Sequence, residues 1–201
     1  MFNLFEEELL EPIARNFRFQ AGLTHIPKNK PLDIIDLGCG PKMRFFHQAI
    51  QAGINIKKYT GIDPLVKKDE IKNLPSNAQI LISIIDNKIP LPANQADLIV
   101  GFAFLEHINH PGEILCDAVR VLKPNGLAVF TTPTPKAKNI LEVLSYKLKI
   151  ISRREIEEHK SYFDKKSLLN MLKPVQNLCQ IHHRYFEIGC NNLLVLRKIV
   201  N

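Results

Sequence analysis

The chain has 201 residues, is 45% hydrophobic and 23% charged, and carries a formal net charge of +7. That length suits one domain with a full core, since about 70% of the unfolded chain's surface can be buried without metal or disulfide staples, and the composition excludes a disordered chain. No window approaches the roughly 18 apolar residues of a bilayer span, Glu6-Glu7-Glu8 stand where a signal peptide needs positive charge, and Cys39, Cys116, Cys179 and Cys190 show no CxxC spacing, so a reduced, cytoplasmic, globular protein is expected.

Residues 2–20 read as an amphipathic helix, with Phe2, Phe5, Leu9, Ile13 and Phe17 recurring at three- and four-residue steps. The run LDIIDLG (32–38) then reads as a buried parallel strand. A helix is expected over 41–52, with Pro41 at its first position and Gly53 past its end. Strands follow at 57–62, 79–85, 97–101 and 126–132, with a helix at 111–122 and a turn at Pro124-Asn125-Gly126. A helix at 164–172, opened by Asp164, precedes two strands near 178–187 and 192–200, spaced to pair as an antiparallel hairpin around Gly189. Strands alternating with helices predict a doubly wound sheet with helices on both faces.

In such a sheet, ligands bind beyond the carboxyl ends of the strands, where the strand order reverses. The first strand ends in Asp36-Leu37-Gly38-Cys39-Gly40-Pro41, whose glycines let backbone approach a ligand ahead of a helix N-terminus. The second ends in Gly61-Ile62-Asp63, an acid about 20 residues on that can accept hydrogen bonds from ribose hydroxyls. Together they point to an adenosine-containing cofactor, although a tight strand-to-helix turn without a ligand explains the glycines too. Dinucleotide binding requires a third glycine where Met43 stands, and no GxxxxGK[ST] is present.

The segments IIDLGCGP (34–41), YTGID (59–63), IPLPANQADLIV (89–100), FLEHI (104–108) and RVLKPNGLAVFTTP (120–133) resemble, in order and spacing, class I S-adenosylmethionine-dependent methyltransferases of the broad small-substrate type. The resemblance covers roughly residues 32–135. It implies a Rossmann-like seven-stranded sheet with an antiparallel last strand. It also implies a single methyltransferase domain over 1–201, with 1–30 as an N-terminal helical extension and 133–163 as an acceptor-side insertion. S-adenosylmethionine is the implied cofactor. Asp36, Gly38, Cys39 and Gly40 are implied to line its methionine part, Asp63 its ribose and Asp86 its adenine, with Ser83 to Asn87 as alternatives. Phe102 is implied to contact it after the fourth strand. Glu106 and His107 match the segment facing cofactor and substrate. Lys42 replaces a glycine frequent in the family, and Pro174-Val175-Gln176 a glycine-aromatic pair.

Methyl transfer from a sulfonium mainly needs a nucleophile held in line, with a general base helping a hydroxyl or amine. His107 is the first candidate base, and His110, His159 and Glu106 are the others. Residues 136–201 hold the whole excess of positive charge, and 133–163 combine Ile140, Leu141, Leu144, Leu148 and Ile151 at helical spacing with Lys136, Lys138, Lys147, Lys149, Arg153 and Arg154. This segment is read as a lid over an anionic acceptor, an adhesive for an anionic membrane, or an ordinary packed helix with solvated lysines. His159 and Tyr162 close it as candidate substrate residues.

The expected reaction is methylation of oxygen or nitrogen on a small-molecule or lipid/glycan-linked acceptor. A non-catalytic cofactor-binding sensor or scaffold and an NAD-dependent reductase are the alternatives. Nucleic acid is a less favoured partner because the aromatic residues are not interleaved with the basic ones. No metal is expected, since Cys179, His182 and His183 lie on one strand whose adjacent residues face opposite ways.

Overall fold

The computed structural model describes residues 11–137 and 161–200. Leu32 to Leu37 form β1, in which Leu32 and Ile34 turn to one side of the sheet and Ile35 and Leu37 to the other, all of them buried. Both faces of this strand must be covered, which is why its apolar run is nearly continuous. Burying each such side chain contributes roughly 1.5–3 kcal/mol.

Around β1 the chain builds one seven-stranded sheet. Its further strands are β2 (Ile56–Ile62), β3 (Ala78–Leu81), β4 (Ala96–Phe102), β5 (Leu122–Pro133), β6 (Cys179–Phe186) and β7 (Asn191–Lys198), in the order β3-β2-β1-β4-β5-β7-β6. β1 to β5 are parallel, and β7 runs antiparallel between β5 and β6. Helices α1 (Glu11–Leu23) and α2 (Arg44–Gln51) pack on the face that carries Ile34, Tyr59 and Leu98. Helices α3 (Pro111–Val121) and α4 (Lys165–Met171) cover the face carrying Ile35, Ile99 and Ala128. The strand order reverses between β1 and β4, and the carboxyl ends of both strands open there.

Four expectations on element boundaries are corrected, each with a local cause. The first helix reaches Leu23 rather than residue 20, and its expected start lies outside the described residues. α2 starts at Arg44 rather than Pro41, because Gly40 and Met43 hold left-handed backbone (φ +61° and +44°) and residues 40–43 close a turn first. β3 stops at Leu81, opposite Ile62, because β2 gives way to Asp63-Pro64 and proline has no N–H to extend the ladder. β5 begins at Leu122, whose pairing with Ala96 precedes a register shift at the turn around Asn125 (φ +63°). Asp164 does open α4, in a reciprocal box: the Ser167 N–H donates to its Oδ1 at 2.7 Å and the Ser167 hydroxyl accepts from the Asp164 N–H at 3.0 Å.

The segments joining β2 to β3 and β3 to β4 contain turns and no α-helix. An open groove of about 590 Å³ therefore lies on this wing, lined by Asp33, Lys58, Thr60 and Gln79 among others. At the amino ends of β1, β4 and β5, the Lys123 ammonium donates to Asp33 Oδ2 at 2.5 Å and to Asp97 Oδ2 at 2.8 Å. Among the described residues no helix is long and apolar enough to cross a membrane.

Candidate functional site

The turn after β1 is shaped by two left-handed glycines with different surroundings. A Cβ on Gly38 (φ +75°) would lie 2.9 Å from Cδ2 of Phe104, whereas one on Gly40 (φ +61°) would meet nothing within 4 Å. Gly38 is thus packed and Gly40 faces open space. The Gly38 N–H donates to the Ile62 carbonyl at 2.9 Å, which fixes the turn to the end of β2.

Asp63 ties the neighbouring loops together. Its Oδ2 accepts from the Gly40 N–H at 2.9 Å and its Oδ1 from the Leu65 N–H at 2.8 Å, while its own N–H donates to the Leu81 carbonyl at 3.2 Å. The side chain is nearly buried, and each carboxylate oxygen keeps acceptor capacity beyond its one backbone donor.

Asp36 lies deeper, on the α2 side of β1. The Tyr59 hydroxyl, itself buried against the Phe46 ring, donates to Asp36 Oδ2, and no described residue donates to Oδ1. Burial pushes the Asp36 carboxyl up to about 7; the Tyr59 hydrogen bond opposes the rise and the charge of Asp63 adds to it. Burial likewise raises the Tyr59 hydroxyl and the Cys39 thiol, whose sulfur lies against Gly61.

β4 ends in Phe102, and Ala103 and Phe104 follow it. The Ala103 backbone is left-handed (φ +50°), and its N–H donates to the carbonyl and hydroxyl of Thr131 at 3.0 and 3.2 Å. The Phe102 ring packs 5.2 Å from both Phe19 and Phe45, under α1 and α2. Phe102, expected to contact the cofactor by backbone and side chain, thus ends β4 with its ring packed on the helix side. The short turn Leu105–His107 follows. Glu106 is buried and accepts from the Thr132 hydroxyl at 3.1 Å, whereas His107 is exposed. Asp86 is exposed and accepts from the Asn109 side-chain amide at 3.2 Å, which links the β3–β4 connection to the segment after β4.

Tyr162 is half-buried next to Phe163, whose N–H donates to the Pro133 carbonyl at 3.2 Å. The Phe163 carbonyl accepts from the Asn192 amide at 2.8 Å, and that same amide donates to the Thr132 carbonyl at 3.2 Å. His159 and the expected helix around Ile140 to Ile151 lie outside the described residues. Tyr59, Thr131, Thr132 and Asn192 carry site geometry that the sequence reading missed. The signal available was a polar Thr-Thr-Pro-Thr run ending an otherwise apolar strand, where polar groups survive burial only with partners. Among the described residues no group of three or more His, Cys, Asp or Glu side chains could hold a metal ion.

A family model described as a methyltransferase domain matches residues 5–176, and the chain belongs to that family, the class I S-adenosylmethionine-dependent methyltransferases. Among curated proteins, the chain is 25% identical over 126 residues to a ubiquinone biosynthesis O-methyltransferase of Rickettsia bellii, covering 61% of this chain and 51% of that protein. It is 30% identical over 108 residues to the enzyme of that name from Histophilus somni, covering 49% of this chain and 44% of that one. The chain thus spans about half the length of these curated relatives. In fold it is similar to an S-adenosylmethionine-dependent methyltransferase of Mesorhizobium loti, with a TM-score of 0.66 at 16% identity over 89% of this chain and 96% of that one. The cofactor of the family is S-adenosylmethionine. The donor set fits it: the unpartnered Asp36 Oδ1 suits an N–H or water donor, the Asp63 carboxylate suits vicinal hydroxyls, and the open side of Gly40 leaves room for a ligand's backbone approach.

Proposed function

We propose that the chain binds S-adenosylmethionine at the carboxyl ends of β1, β2 and β4 and transfers its methyl group to an oxygen or nitrogen of a small-molecule or lipid/glycan-linked acceptor. The observation that carries this reading is the bond from the Gly40 N–H to Asp63 Oδ2 beside a glycine that faces open space. The acid and the bend form one rigid cradle, with acceptors left over for a sugar. The names of the curated relatives favour oxygen as the acceptor atom.

When bound, the cofactor supplies an electrophilic methyl on a sulfonium. The chain's own residues then have three tasks. Asp63 holds the ribose and the Gly38–Gly40 turn lines the methionine part. The Leu105–His107 turn borders the acceptor, with the exposed His107 imidazole as the group that takes its proton and the buried Glu106 held by Thr132. Tyr162, fixed at the end of β5 through Phe163, closes the side facing the acceptor. Positioning of this kind can supply about 7–11 kcal/mol of a barrier.

Calorimetric titration tests the reading. The native chain binds S-adenosylmethionine, NADH does not compete, and Asp63→Asn loses about 10- to 100-fold in affinity, as expected for charge-assisted hydrogen bonds of about 1.5–3 kcal/mol. Labelled donor incubated with cell extract, then fractionated into lipid, small-molecule and nucleic-acid pools, identifies the acceptor class. An absence of donor binding would sink the proposal, and binding without labelled product would leave the chain a sensor.

A further inference from the structure

Several described basic groups are satisfied within the fold. Lys123 is satisfied by Asp33 and Asp97, Arg120 by Asp117, and Lys198 by Asn94 and two carbonyls. On the edge strand β6, by contrast, positive groups gather without an acid. His182 lies opposite Val195 and Arg184 opposite Leu193, so both side chains lie on the face of the sheet that carries α1. From the segment after α1, the His25 ring meets the His182 ring with centroids 5.6 Å apart. Arg197 of β7, opposite Gln180, lies on the same face. No described acid forms an ion pair with His25, His182, Arg184 or Arg197.

We propose that His25, His182 and Arg184 form an oxyanion-binding patch that takes a phosphate ester group. The paired imidazoles and the arginine two residues along the same strand face can each donate N–H groups to a tetrahedral anion, with Arg184 permanently charged. The uncompensated cluster works against itself in the free protein. Burial first, then the charges of His182 and Arg184, hold His25 below its ordinary value. A bound anion reverses that repulsion, so anion binding and imidazole protonation strengthen each other. Above the imidazole pKa, affinity falls by up to about tenfold per pH unit for each proton the bound state requires.

The patch is separate from the cofactor cradle. β6 stands three strand spacings from β4, the nearest strand of the cradle, about 14 Å at the usual 4.8 Å interval. The proposal therefore does not depend on the methyl-transfer reading. A phosphate ester can come from a soluble metabolite or from a lipid headgroup, and both present the same chemistry to these three side chains.

The test follows the histidine ring resonances of the full chain by NMR while inorganic phosphate is added at pH 6 and at pH 8, with S-adenosylmethionine absent and then saturating. The expected result is saturable shifts of His25 and His182 at pH 6, much weaker at pH 8, unaffected by the methyl donor. His182→Gln with Arg184→Gln, both at exposed positions, should lower phosphate affinity at least about tenfold. Co-sedimentation with phosphatidylglycerol vesicles, against phosphatidylcholine vesicles, reads the lipid source: retention lost in the double variant assigns the patch to a headgroup, and no retention assigns it to a soluble phosphate. Unshifted histidines at pH 6, or phosphate affinity unchanged in the double variant, overturns the proposal.

Discussion

The Tyr59 hydroxyl donates to Asp36 Oδ2 at 2.5 Å, two side chains from adjacent strands meeting beneath the glycine turn. A carboxyl placed there carries a stability signature. Its value rises from 3.8 to about 7, so between these limits the folded chain holds a proton that the unfolded chain has released. Stability from this group is complete below about pH 4 and is lost as pH rises through 7. By 1.36 kcal/mol per unit the loss amounts to at most about 4 kcal/mol. Urea unfolding at pH 5 and pH 8 should show it, and Asp36→Asn, which keeps an acceptor for Tyr59, should flatten the difference. An unchanged pH dependence in the variant would contradict the assignment.

Gly40→Ala separates conformational strain from lost room. The methyl meets nothing within 4 Å in the free protein, so only the left-handed backbone at φ +61° opposes it, at about 1–2 kcal/mol. Affinity for S-adenosylmethionine should fall by more than that, because the open side is where a ligand's backbone approach occurs. Paired thermal melts and calorimetry with the donor measure both; equal losses would show that the open side is not used.

Lys123→Met tests the far end of the sheet. It leaves Asp33 and Asp97, both mostly buried, facing each other with only the longer contacts of Lys57 to Asp33 (3.9 Å) and of Lys30 to Asp97 (3.7 Å), and Asp97 also accepts from the Asp33 N–H. Burial would raise the Asp97 carboxyl, but Lys123, that N–H and Lys30 hold it below its ordinary value. Its contribution is therefore present above the unfolded value and disappears as pH falls through the folded one. The substitution should cost about 1–3 kcal/mol at neutral pH and less in acid, with methyl-donor affinity unchanged. Denaturation curves at pH 7 and pH 3 check the sign.

Asn192→Leu is expected to be more severe. Asn192 is fully buried, its amide donates to Thr132 and Phe163 carbonyls, and its Oδ1 lies 2.8 Å from His183 Nε2. Orphaning buried partners at about 1–3 kcal/mol each should lower stability by several kcal/mol. The tie to Phe163 also loosens the segment bearing Tyr162, so hydrogen exchange at 161–164 should quicken. Unaltered exchange would place the loss in the sheet alone.

The parallel strands were legible because apolar runs bounded by turn residues have few other homes, as with LDIIDL and DLIVG. That the turn bearing Gly40 and the loop bearing Asp63 are neighbours was legible because they end adjacent parallel strands; the bond between them was not. The Tyr59–Asp36 bond was not, since it depends on the register that sets Ile34 beside Tyr59. The packing of Phe102 was not legible for a related reason: its ring turns toward Phe19 and Phe45, which come from elsewhere in the chain. Ile82 and Ile84 extended the third strand on paper. Both are exposed, and the proline that stops their partner lies 18 and 20 residues before them.

β7 slots between β5 and β6, so the middle of one wing is filled by a strand synthesised after both of its neighbours. A nascent chain that has already aligned β1 to β5 still presents the outer rim of β5, from Leu127 to Pro133, without its hydrogen-bonding neighbour. That rim is an adhesive template for other chains until Asn191 to Lys198 arrive. Translational pausing or premature termination short of Lys198 would thus endanger solubility, while the cradle-forming strands are already in place.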